Sequence, residues 1–111
     1  MAGTIKLIAS PAYLAAAATN IYTPPASTID TIIRHIHIAN RTGSAATASL
    51  WVGATGGSAA GTELFGAYSV AANGSFDYYC TLRLSSTQFL SGLSGTASAL
   101  IITVEGEQVV V

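Results

Sequence analysis

The chain has 111 residues, enough for one domain that buries its own core without covalent staples. Half of the residues are apolar and only 8% are charged, with a net charge of −1 and a mean hydropathy of +0.53. The four cations, Lys6, Arg34, Arg41 and Arg83, form no basic run, which argues against a nucleic-acid partner, and no apolar run approaches the ~18–20 residues of a membrane-spanning helix.

The exterior of a free-standing small domain is typically about 25–35% charged. Four cations and five carboxylates fall well short of that. Alanine, serine, threonine and glycine supply much of the remaining surface. The expectation is that part of the exterior is covered in the working state, by further copies or by a larger assembly. A net charge near zero lets copies pack with little mutual repulsion.

In chain order, "MAGTIKLIASPAYLAAAATN" carries one Lys, an apolar stretch and a run of alanines, a faint echo of a secretory leader. Pro11 and Asn20 interrupt it, and "TIKLI" reads as strand. Strands are expected over 4–9, 12–16 and 19–23, with residues 1–18 serving as an N-terminal arm or edge strand. Ile5, Leu7 and Tyr13 on this arm are candidate contact residues, with Tyr22 and Pro24 beyond it. Pro24 and Pro25 then break the chain direction.

The next strand is expected over 29–40. Alternation puts Ile36, Ile38 and Asn40 on one face and His35, His37 and Ala39 on the other. Two histidines two apart have Cα atoms about 6.5–7 Å from each other, but a metal site needs three or four ligands. The nearest carboxylate in sequence is Asp30, and the following strand, "ATASLWV", offers no ligand. No metal or other cofactor is therefore expected. His35 and His37 read as a solvated or interface-facing pair; three copies meeting on an axis are the special case that would supply six nitrogens, and any other metal site is not expected.

"NRTGSA" is expected to close a hairpin into a strand at 46–53, with Gly43 taking a positive φ. In that strand Trp51 faces outward if Leu50 and Val52 face inward. An exposed Trp51 suits a protein contact or, with Tyr68, Tyr78 and Tyr79, a sugar-stacking platform. "GATGGSAAGT" superficially resembles a phosphate-binding loop, but it lacks the Lys after its glycines and no helix follows.

Further strands are expected at 63–70, 75–84, 87–91 and 97–105, with "QVVV" as a short last one. Asn73-Gly74 is the strongest short turn signal. Cys80 has no partner in the chain and alternates onto the core face, which fits a buried thiol in a reducing compartment. Glu105 and Glu107 flank Gly106 at an expected turn. No G-x-S-x-G motif or paired catalytic carboxylates occur, so no enzyme is expected. Punctuated strands with one apolar face describe an antiparallel β-sandwich, jelly-roll-like, of about eight main strands in a single domain over 1–111.

"IYTPPAST", "IIRHIHIANRTGSAATASLWVG", "LFGAYSVAANGSFDYY" and "SALIITVEGEQ" follow one another in an order that resembles small virion proteins of tailed bacteriophages. The matching residues are Tyr22, Thr23 and Pro24; Ala39 and Asn40; Leu50 to Gly53; Ala72 and Asn73; and Val104, Gly106 and Glu107. The resemblance implies a compact, non-enzymatic building block, either a capsid decoration or cement protein or a neck or tail accessory. It further implies a homo-oligomer, a trimer being favoured, partnered by major capsid or tail proteins. Its place would be the virion, after assembly in the host cytoplasm. A carbohydrate-binding module of a receptor-binding apparatus is the alternative.

Overall fold

A computed structural model describes residues 4–25, 28–54 and 62–110 of the chain. Eight strands account for most of them: β1 (Thr4–Tyr13), β2 (Thr19–Tyr22), β3 (Thr28–Asn40), β4 (Ala46–Gly53), β5 (Glu63–Val70), β6 (Ser75–Ser85), β7 (Phe89–Ser94) and β8 (Leu100–Val110). They form two four-stranded antiparallel sheets, one in the order β1-β8-β3-β6 and the other in the order β2-β7-β4-β5. There is no helix among the described residues, and so none long and apolar enough to cross a membrane. The chain is an all-β protein, as its alternating pattern predicts.

The pairing is nested. β1 lies against β8, β2 against β7, β3 against β6 and β4 against β5. The second half of the chain thus retraces the first, while successive segments cross from sheet to sheet. β4 and β5 alone follow each other within one sheet.

This corrects the hairpin expected at "NRTGSA", because β3 and β4 belong to different sheets. Gly43 does not take the left-handed φ expected of it. Asn40 shapes the crossing instead. Buried at 3% exposure, its Nδ2 donates to the carbonyls of Ser44 (2.9 Å) and Val70 (3.1 Å). Its Oδ1 accepts from the amide and hydroxyl of Thr42 at 2.9 and 2.8 Å. Asn73-Gly74 does form a turn, with Asn73 at φ 55° and the Gly74 amide donating to the Ala71 carbonyl at 2.9 Å. That turn also crosses between sheets.

The strand boundaries differ from expectation at both ends of the chain. Residues 4–13 form one strand, because Pro11 falls within the register irregularity between Ala9 and Ala12, where an edge strand tolerates a missing donor. Residues 100–110 also form one strand, so Gly106 lies inside β8 and not at a turn. A Cβ on Gly106 would fall on the Ile32 carbonyl oxygen and lie 3.1 Å from the Ile33 Cα. Glycine is there for the close approach of β3. The β7 strand runs over 89–94, later than the 87–91 expected.

The core fills the space between the sheets. Ile33, Ile36, Ile38, Leu84, Leu100, Ile102 and Val104 enter from the first sheet, and Ala46, Ala48, Leu50, Val70 and Leu90 from the second. Each fully buried Ile, Leu or Val side chain stabilises the fold by about 1.5–3 kcal/mol relative to exposure. Phe65 and Tyr68 of β5 meet Phe76 and Tyr78 of β6, with the Phe65 and Phe76 rings edge to face at 5.8 Å. These rings join the two sheets along one open side. Cys80 packs half-buried against the core and donates to the Ile33 carbonyl at 3.3 Å, and burial raises its thiol pKa.

Candidate functional site: a histidine–carboxylate cluster on the outer sheet face

β3 runs between β8 and β6, so its outward side chains meet outward side chains from both neighbours. His35 stands opposite Glu105 on one side and Tyr79 on the other, and His37 stands opposite Asp77. The register slips between Ile33 and His35 against both neighbours. Ile33 and Ile36 both point inward as a result, and Arg34 and His35 both reach the outer side. Irregularities of this kind re-aim side chains within a sheet.

Two carboxylates hold His35. Its Nδ1 lies 2.8 Å from Glu105 Oε1, and its Nε2 lies 2.8 Å from Asp77 Oδ1. His37 Nδ1 lies 2.6 Å from that same Asp77 oxygen. The Tyr79 ring is stacked on His35, with centroids 4.4 Å apart and planes 5° from parallel. Arg34 pairs with Glu107 beside the cluster. Ile5, Arg34, His35, Glu105, Gly106 and Glu107 line a shallow depression there.

A neutral imidazole can donate from one nitrogen only, so His35 donates to both carboxylates only as the imidazolium. Its pKa is raised, chiefly by the Glu105 hydrogen bond and then by the one to Asp77, with desolvation opposing. The Asp77 pKa is lowered, chiefly by His37 and then by His35. Among the described residues the side-chain hydrogen bonds of both histidines run to carboxylates. The donor atoms of His35, His37 and Asp77 all lie within 4.8 Å of one another, the arrangement that can share a cation.

The sequence places His35 and His37 on one outer face but gives them no third ligand, because the strand beside them is expected to be "ATASLWV". β6 and β8 take that place instead and bring in Asp77 and Glu105. The alternation of "SFDYYC" already turns Asp77 outward. The missing information is which strands pair.

The expected contact residues fall in three settings. Ile5 (82% exposed), Leu7 (49%) and Tyr13 (51%) are exposed along β1. Ile5 and Leu7 stand opposite Glu107 and Glu105, on the same outer face as the cluster. Pro24 and Trp51 are half-buried. Tyr22 lies in the core, 7% exposed, where its hydroxyl accepts from Gln108 Nε2 at 2.9 Å and lies 2.7 Å from the Thr31 hydroxyl. It offers almost no surface to a partner. Most of "GATGGSAAGT" lies outside the described residues.

Comparison with protein-family models finds no match. Comparisons with curated proteins and with solved structures likewise find none.

Proposed function

We propose that the chain is a non-enzymatic structural module of a tailed-bacteriophage particle, a capsid decoration or cement protein that works by multivalent apolar contacts. The ordered resemblance along the sequence supplies the phage context. The nested strand order, with the two halves of the chain paired back along each other, supports a jelly-roll reading of the sandwich. The observation that carries the proposal is the apolar row Ile5, Leu7 and Tyr13 on an edge strand of a chain with few charges. Apolar side chains grouped on one strand are costly to leave in water and favourable to cover.

In this reading three copies associate, and the trimer docks on major capsid or tail proteins. Each contact is weak alone and becomes durable because several engage at once. Sedimentation and light scattering of the purified chain test the association. A trimer that Leu7→Glu converts to monomer, and that adheres to tailed-phage heads or tails, is the expected result. A monomer that persists at about millimolar concentration with no affinity for either structure would overturn it. A glycan-array signal lost on Trp51→Ala would replace it with the carbohydrate-binding alternative.

A further inference from the structure

We propose that His35, His37 and Asp77 form a site for a divalent transition-metal ion such as zinc or cobalt, with Glu105 as the carboxylate that orients His35. The donor set is the first reason. Two imidazole nitrogens and one carboxylate oxygen suit zinc, cobalt or nickel, whereas magnesium and calcium take oxygen ligands almost exclusively.

Spacing is the second reason. The Asp77 oxygen now lies 2.6 Å from His37 Nδ1 and 2.8 Å from His35 Nε2. Around an ion with bonds near 2.0–2.1 Å, tetrahedral donors stand roughly 3.3–3.4 Å apart. Asp77 therefore has to withdraw by about half an ångström to an ångström. The two ring nitrogens, within 4.8 Å of each other, have to settle at that same donor spacing by side-chain rotation, the exposed Asp77 and His37 moving most. The ion would take the place of the protons now shared between the carboxylate and the two rings.

Support around the ligands is the third reason. Glu105 accepts at the Nδ1 of His35 and leaves Nε2 directed at Asp77. Metal-bound histidines are held in this way, with the second ring nitrogen donating to a carboxylate. Tyr79 stacked on the ring fixes its plane. The ligands stand on two paired strands, so the backbone separation is set by the sheet ladder. Asp77 also removes the need for a symmetry axis, because one chain supplies three ligands. The half-exposed His37 and Asp77, 38% and 39% accessible, leave the fourth position open toward solvent. The site is independent of the structural role proposed above, and either can fail alone.

The test uses the full chain without a histidine tag, stripped of metal and titrated with Co²⁺ and Zn²⁺. One ion per chain is expected, with visible Co²⁺ absorption that Zn²⁺ abolishes. His37→Gln and Asp77→Asn should each weaken binding by roughly 100-fold or more, and Glu105→Gln by about 10–100-fold with the stoichiometry kept. In the unaltered chain, nitrogen NMR should show Zn²⁺ moving His35 Nε2 and His37 Nδ1 while His35 Nδ1 keeps its proton. This readout does not depend on any variant folding. Absence of uptake at about 1 mM metal, or unchanged affinity in a folded His37→Gln chain, would overturn the assignment.

Discussion

Replacing Gly106 by alanine tests how β3 and β8 are held together, and the structure sets the size of the effect. The added methyl would meet backbone on both counts, the Ile32 carbonyl oxygen and the Ile33 Cα. Backbone cannot rotate away, so the two strands must part locally. Two or three ladder hydrogen bonds at about 1 kcal/mol each are then weakened, and strain is added. The expected loss is about 3–4 kcal/mol, a fall of roughly 12–20 °C in Tm for a domain of this size. Gly92→Ala is the control. Its methyl would meet only side-chain ends, Ile21 Cδ1 at 2.5 Å and the Leu14 and Leu50 Cδ2 atoms at 2.8 Å. Those can repack, so a smaller loss of about 1–2 kcal/mol is expected. Urea denaturation with thermal melts followed by circular dichroism measures both. Equal losses, or a Gly106→Ala protein within about 2 °C of the parent, would refute the close-approach argument.

Asn40→Ala removes both donors and the acceptor that shape the β3–β4 crossing and leaves the Val70 carbonyl without its side-chain donor. A loss of about 2–3 kcal/mol in urea denaturation is expected, and a loss under 0.5 kcal/mol would show that the loop holds itself. The metal-free chain should be most stable in mildly acidic solution. His35 has a raised pKa, so its contribution is complete below the ordinary histidine value and is lost as pH rises through the folded-state value. Asp77 has a lowered pKa, so its contribution is complete above the ordinary aspartate value and is lost as pH falls through the folded-state value. Arg34, Glu107 and Tyr79 face the same cluster. Denaturation midpoints should therefore fall on both sides of a plateau between about pH 4 and 6.5, and His35→Gln should remove the decline on the alkaline side.

Local structure was readable because alternation is a local signal. The inward set Ile36, Ile38 and Asn40 follows from spacing alone, as does the turn at Asn73-Gly74. Pairing was not readable. The strand after "NRTGSA" follows β3 in sequence yet lies in the other sheet, and nothing local distinguishes a crossing from a hairpin once a buried Asn40 supplies the turn. Asp77 and Glu105 reach His35 from 42 and 70 residues away in the chain. The cluster is thus a product of topology: local alternation turns His35, His37 and Asp77 outward, but only the strand pairing brings them together. Gly106 misled for a related reason. Between two glutamates it reads as a turn, while its true role depends on a strand that its flanking sequence does not specify.

The nested pairing also governs how such a chain can mature. Thr4 sits opposite Gln108, so the first of the eight strands finds its ladder partner in the eighth. Until that partner arrives, Ile5 and Leu7 face water beside an open ladder, and closure between remote segments is slow. Until β8 emerges, a ribosome-bound chain would hold an unfinished margin, prone to capture by a sister chain. Arrival of β8, more than any local nucleus, should time the closing of the first sheet.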